Sequence, residues 1–176
     1  MKTPLRTIIL VALCAIFVGC AGSANREAMI PSNVSIGKKH GHSVSIGVTG
    51  GQRTNPMWAS QVANEDFKAA LEMTIERTGL FSHVIRSANG DYQLDVRLVQ
   101  LRQPMVGFNM TVEAQTEWRL RHVSSGRVVW QENVNRAFTA TVGDAFAGIK
   151  RLRLANEGAI REDIKAGLER IATLSL

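Results

Sequence analysis

Apolar and polar residues alternate most regularly in the second half of the chain, in "FNMTVEAQTEWRLRH". The alternation runs from Phe108 to Leu120, and "RVVWQENVNRAFTAT" returns after a turn at Gly126. Shorter alternating runs begin at Val44 and at Tyr92. Strands with one covered and one wet face are typical of antiparallel sheets, so these runs predict antiparallel pairing.

Two weaker patterns predict short additional strands. The letters "VSIG" occur at 34–37 and again at 44–47, which indicates two short paired strands joined by a turn, "KKHGH". We therefore expect His40 and His42 to be exposed in that turn and to bind no metal, since no third ligand lies near them in the sequence. Val84 and Ile85 suggest a brief edge strand before the turn "SANGD".

The segment "NEDFKAALEMTIERTGLF" predicts an amphipathic helix. Asn64 is a favourable N-cap, and Gly79 suits the left-handed position that ends many helices. Phe67, Leu71 and Ile75 are four residues apart and fall on one face, which we expect to pack on the sheet.

The last part of the chain, from "GDAFAGIKRL" onward, has apolar residues at three-and-four spacing from Ile149 to Leu174. Gly148, Gly158 and Gly167 interrupt this helix, and we interpret them as points of close approach to the sheet, with a kink as the alternative. The elements together predict an α+β fold, with an antiparallel sheet of about four strands and two helices packed on one face.

The N-terminus, "MKTPLRTIILVALCAIFVGC", has the form of an export signal. Lys2 and Arg6 precede an uncharged apolar run from Ile8 to Val18. A bilayer-spanning helix needs about 20 apolar residues, so a permanent span is the weaker interpretation.

Residues 17–20, "FVGC", resemble the lipobox of bacterial lipoproteins, with Phe17 in place of the usual leucine. The resemblance implies cleavage before Cys20 and acylation of that cysteine on its sulfur and its new amino group. Ala21, in place of the aspartate that would favour inner-membrane retention, implies the periplasmic face of the outer membrane. The alternative is an ordinary secretory signal that leaves Cys20 as a free thiol.

These features divide the chain into a lipoprotein signal peptide (1–19), a tether (20–32) and one α+β domain (33–176). A flexible tether of this length spans roughly 20 Å, which would keep the domain close to its membrane. If Cys14 is removed with the signal and Cys20 is acylated, as the resemblance implies, no cysteine remains for a disulfide. The formal net charge of +6 falls by two when Lys2 and Arg6 are removed. The sequence contains no basic stripe interleaved with aromatic residues, so it does not predict nucleic-acid binding.

The sequence contains no motif for phosphate binding, zinc hydrolysis or a nucleophile elbow. Asp144 with His83 or His122 and a serine could make a triad on paper, but such a set can be found in most chains of this size. We therefore expect no enzymatic activity, no catalytic residue, no cofactor and no metal.

Two groups of residues are candidates for surface contacts. Trp58, in the loop "TNPMWAS", is expected to contact a partner or a membrane, whereas Trp118 and Trp130 are expected in the core. Lys150, Arg151 and Arg153 form either a solvated helix face or a contact with an anionic ligand.

The segments "VTGGQRTNPMW", "GDYQLDVRLVQLRQP" and "VGDAFAGIKRLRLANEGAIRE" resemble an uncharacterised family of proteobacterial outer-membrane lipoproteins. The element order is also similar to that of the lipopolysaccharide-assembly lipoprotein and of transport-auxiliary lipoproteins. This resemblance implies a lipid-anchored, non-enzymatic accessory or assembly subunit of a cell-envelope complex, with an envelope protein as its partner. The alternative is a binding module for lipopolysaccharide or an acidic exopolysaccharide.

Overall fold

The computed structural model describes residues 22–55, 59–87 and 89–176. After a short 3₁₀ turn at Glu27–Met29, the elements in chain order are β1 (His40–Thr49), α1 (Asn64–Thr78), β2 (Phe81–Ile85), β3 (Tyr92–Arg102), β4 (Met110–His122), β5 (Val128–Ala140) and α2 (Gly148–Ile171). The α+β class and the two helices are confirmed. In the described residues neither helix combines the length and the apolar character needed to cross a bilayer.

The sheet differs from the expectation of about four antiparallel strands. It has five strands in the order β2-β1-β3-β4-β5. Strands β3, β4 and β5 are antiparallel, as the alternation predicted, but β1 is parallel to both of its neighbours, β2 and β3. The prediction was wrong because alternation reports which face of a strand is covered and does not report the direction of its neighbour.

The parallel arrangement depends on a close chain crossing at Gly90. Val44 of β1 is level with Val84 of β2 on one side and with Tyr92 of β3 on the other, so the chain must pass from one side of β1 to the other between these strands. A Cβ atom on Gly90 would lie 2.7 Å from the backbone nitrogen of Ser45. The connection from β2 to β3 therefore crosses β1 at Gly90 and does not close a hairpin.

Helix α1 begins and ends close to the predicted positions. Gly79 ends it with φ of 63° and donates its N–H to the Ile75 carbonyl, as expected. The predicted N-cap is displaced by one residue: Ala63 is the cap, and the Asn64 side chain instead accepts a hydrogen bond from the N–H of Gly51 at 2.7 Å. Phe67 and Leu71 are fully buried, so this helix face packs on the sheet as predicted.

Helix α2 approaches the sheet most closely at two of its three glycines. A Cβ atom on Gly158 would lie 2.2 Å from the Phe138 ring, and one on Gly167 would lie 2.6 Å from the Trp118 ring. The interpretation as close-approach positions is thus confirmed for these two. At Gly148, in the first turn, the nearest atoms would be 3.6 Å away, so no tight contact requires a glycine there.

Part of the predicted tether packs on the domain. Met29 is fully buried, and Ala24 and Ile30 are nearly so, all within the main hydrophobic core. Arg161 of α2 donates a hydrogen bond to the Ala28 carbonyl at 2.8 Å. The chain is therefore fixed to the domain before residue 32, because these apolar side chains gain burial against α2.

Two expectations for residues 34–40 were wrong. The first "VSIG", at 34–37, forms no strand. His40 is buried, not exposed, because it begins β1 and its Nε2 lies 3.0 Å from the Ile171 carbonyl oxygen at the end of α2. His42 is exposed as expected.

Candidate functional site

Two of the sequence-predicted functional residues, Cys20 and Trp58, lie outside the described residues. The described chain nevertheless begins at Gly22, two residues after Cys20, and Gly22 is held in place. Its carbonyl accepts a hydrogen bond from Ser60 Oγ at 2.8 Å, and a Cβ atom on it would lie 3.0 Å from a guanidinium nitrogen of Arg153. The end of the domain from which the chain leads to Cys20 is thereby defined.

The predicted basic cluster does not form one surface. Arg151 is buried, and its guanidinium donates to the carbonyls of Ala145 and Phe146. Arg153 lies 3.5 Å from a carboxylate oxygen of Glu157, one turn along α2. Of the three cations, only Lys150 has an exposed side chain.

The residues of the hypothetical triad are far apart. Asp144 follows β5, and its carboxylate accepts hydrogen bonds from the N–H and hydroxyl of Thr141, which lower the pKa of Asp144. His122 ends β4 at the opposite end of the sheet, where its Nδ1 lies 2.9 Å from Ser125 Oγ. The 13 residues of β4 separate these ends by about 40 Å. In the described residues no three His, Cys, Asp or Glu side chains are grouped to hold a metal.

The face of the sheet opposite the helices is open and strongly polar. Its side chains form cross-strand pairs: Asp95 with Arg119 at 3.6 Å, and Arg102 with Glu113 at 3.2 Å. Glu117 accepts a hydrogen bond from Gln131 at 2.9 Å. We call this surface the open sheet face. Strands β3, β4 and β5 provide it through these residues and through Gln115, Asn133 and Asn135. Its charges alternate in sign, so it carries no single-sign field.

The opposite, helix-covered face contains a buried polar network. Asp163 of α2 accepts hydrogen bonds from Thr116 Oγ1 at 2.7 Å and from Trp118 Nε1 at 3.1 Å. Burial raises the pKa of Asp163 to about 7, although both hydrogen bonds oppose this shift. The hydrogen bonds of this network hold α2 against β4. Because the Asp163 carboxyl is enclosed, the network presents no reactive group to solvent.

Exposed apolar side chains are concentrated at one end of the sheet, in the loops β3–β4 (103–109) and β5–α2 (141–147). Met105 is 97% exposed, Val106 and Phe108 are each 85% exposed, and Phe146 is 91% exposed. We call these four residues the apolar tip. A groove of about 560 Å³ lies beside them, lined in part by Ala59, Pro104 and Leu152.

Sequence reasoning missed the apolar tip. It placed Phe108 on the covered face because the alternation continues to that residue, but β4 begins only at Met110. The available signal was local: "PMVGF" and "VGDAFAG" place large apolar residues among the prolines, glycines and aspartates of turns. Trp118 is buried as predicted, and Trp130 is partly buried against the core.

Comparisons with known proteins show similarity in fold alone. No family model matches the chain, and no curated protein matches it. Among solved structures, protein XCC0632 of Xanthomonas campestris, of family DUF330, covers 79% of this chain and 90% of its own, at 16% identity and a TM-score of 0.55. The hypothetical protein CT253 of Chlamydia trachomatis covers 76% of this chain and 98% of its own, at 10% identity and a TM-score of 0.54.

A further similar structure is described as "a putative lipoprotein from Caulobacter crescentus CB15". It covers 73% of this chain and 88% of its own, with 15% identity and a TM-score of 0.51. The fold of this chain therefore occurs in a protein described as a lipoprotein. Similarity at this level of identity does not assign a partner or an activity.

Proposed function

We propose that this protein is a lipid-anchored, non-enzymatic accessory or assembly subunit of a bacterial cell-envelope complex. In this proposal acylated Cys20 attaches it to the periplasmic face of the outer membrane, and a protein of the same envelope is its partner. The observation that carries the accessory role is the open sheet face, a broad surface without a covering element in the described part of the chain.

The chemistry of the open sheet face suits a protein partner. The interfaces of non-obligate protein complexes are about as polar as the rest of the protein surface. Here the ion pairs and amide contacts hold many side chains in place before a partner arrives, for example Asn135 Nδ2 donating to Glu113 at 2.6 Å. Side chains that are already ordered lose less entropy on binding.

The lipid anchor is tested by the mass of the mature N-terminus. We expect a chain that begins at Cys20 and carries acyl groups on it. Replacing Cys20 with Ser should release the protein from the membrane fraction. An unmodified Cys20, or a chain that still contains Lys2, would refute the anchor.

The accessory role is tested by a photo-activated cross-linker placed at Asn133, which is exposed on the open sheet face. In living cells we expect a reproducible adduct with one envelope protein. The matched control is the same cross-linker at Glu76, exposed on α1 and away from this face. Equal, unselective labelling from both positions would contradict a partner on the open sheet face.

A further inference from the structure

The apolar tip has no role in the core of the domain. Seven large apolar side chains are exposed in the described residues, and five of them, the four of the tip and Val142, belong to the two loops at this end. Single exposed apolar residues are common on protein surfaces, but contiguous exposed groups mark contacts with proteins or membranes. The tip must therefore be explained by something outside the domain.

Arg151 holds the two loops of the tip together. Its guanidinium donates to the carbonyl of Ala145 at 2.8 Å and to that of Phe146, both in the β5–α2 loop. It also donates to the Gly107 carbonyl in the β3–β4 loop at 3.4 Å. The arginine itself is only 7% exposed. The two loops that carry the apolar side chains are thus both hydrogen-bonded to the buried guanidinium of Arg151.

The chain that leads to Cys20 is connected to the same end of the molecule. Gln103, the first residue of the β3–β4 loop, donates from Nε2 to the Ser60 carbonyl at 2.7 Å, and Ser60 Oγ donates to the Gly22 carbonyl at 2.8 Å. Two residues of chain reach at most about 7 Å, so Cys20 cannot lie far from Gly22. An acylated Cys20 would bring the lipid surface to the end that carries the tip.

We propose that the apolar tip is a second membrane contact: Met105, Val106, Phe108 and Phe146 enter the interface of the leaflet that holds the acyl chains of Cys20. This inference depends on the proposed lipid anchor. Lys150, exposed at the start of α2 beside the tip, suits the phosphate groups of that surface, and the neighbouring Asp144 carboxylate is turned back onto Thr141.

The choice of a lipid surface over a protein follows from this placement. Amphipathic segments with aromatic and aliphatic side chains insert into the headgroup boundary, and one further attachment makes such weak binding stable. With contacts at both Cys20 and the tip, the domain cannot rotate freely about its anchor. The strands then run away from the membrane, and the open sheet face is directed sideways, toward a protein in the same envelope.

The test uses the full acylated protein in vesicles of phosphatidylethanolamine and phosphatidylglycerol. The mature chain has no cysteine other than Cys20, so Phe108→Cys and Phe146→Cys each provide one site for an environment-sensitive fluorophore. Ser125→Cys, in the exposed turn at the far end of β4, is the matched control. We expect a blue shift and severalfold stronger quenching by spin-labelled lipid at 108 and 146 than at 125.

Three results would overturn the proposal, and each is distinct. Quenching at 108 and 146 no stronger than at 125, in protein that is acylated and floats with the vesicles, refutes the tip contact and leaves the anchor intact. A blue shift without quenching by lipid means that the tip is covered by a second copy or another protein. A mass that shows Cys20 without acyl groups refutes the anchor, and the tip contact with it.

Discussion

Aromatic side chains in two regions of this protein have opposite surroundings. Trp118 is fully buried between the sheet and α2, whereas Phe108 and Phe146 in the apolar tip are almost fully exposed. Each contact of Trp118 is made within the chain: its ring faces Gly167, and its Nε1 donates to Asp163 and Thr116. The tip residues gain nothing comparable from the fold.

The difference separates the residues that hold the domain together from those available for contacts outside it. Burial of a large apolar side chain stabilises the folded state by roughly 1.5–3 kcal/mol relative to exposure, and only the first region obtains this energy. Substitutions in the two regions should therefore affect different measurements, the free energy of unfolding in one and membrane contact in the other.

The largest expected contrast is between Trp118→Ala and Phe108→Ala. Removing the buried indole leaves a cavity and removes one of the two hydrogen bonds that Asp163 accepts, so the free energy of unfolding should fall by about 3–5 kcal/mol. Phe108→Ala should change it by less than about 0.5 kcal/mol, because the ring has few contacts to lose. Urea unfolding followed by circular dichroism measures both. Similar losses would mean that the tip is packed in solution and not exposed.

A smaller contrast is expected between two glycines of α2. In Gly167→Ala the new methyl group would lie 2.6 Å from Trp118, whose buried ring has no free space, so we expect a loss of about 1–3 kcal/mol. Gly148→Ala is the matched control, because its methyl group would have its nearest neighbours at 3.6 Å. The control should be neutral or slightly stabilising, since alanine favours a helix.

The measurement for the glycine pair is again the urea midpoint. A neutral Gly167→Ala variant would show that α2 can move away from the sheet at this point. The close contact with Trp118 would then not be what positions the helix.

The sequence was most informative where one pattern determines one structural property. Three-and-four spacing predicted both helices, and alternation predicted the covered face of β4, including the burial of Trp118. Alternation did not predict the parallel pairing of β1, because strand direction here depends on where the chain crosses from one side of β1 to the other. The decisive residue, Gly90, is indistinguishable in sequence from a hairpin glycine. The burial of Met29 before β1 and of His40 at its start was missed because both residues contact the distant α2.

The candidate surfaces were less predictable than the fold. Lys150, Arg151 and Arg153 are close in sequence, but helical geometry directs them differently, and Arg151 is buried among the carbonyls of the tip loops. Phe108 continues an alternating pattern beyond the point where the strand begins. In both cases the sequence shows a charged or an apolar residue, but whether its side chain is buried or exposed depends on the tertiary structure.

The smallest expected effect concerns the pH dependence of the buried region. The pKa of Asp163 is raised to about 7 in the folded protein, from an ordinary value of 3.8. The folded state therefore retains a proton that the unfolded chain loses, and the stability contributed by this group is lost as the pH rises from the unfolded pKa through the folded one. Between about pH 6 and pH 8 the free energy of unfolding should decrease by roughly 1 kcal/mol for this reason.

Asp163→Asn provides the control for this pH effect, because an amide resembles the protonated carboxyl and does not titrate. Its carbonyl oxygen can still accept from Trp118 Nε1, and its NH₂ group can donate to Thr116 Oγ1. We expect the variant to lose most of the decrease seen in the wild type. Glu157, whose pKa burial also raises, is present in both proteins, so the difference between the two curves isolates Asp163. Parallel curves would show that Asp163 is ionised throughout this range, and that the contact between α2 and Trp118 accommodates a buried charge.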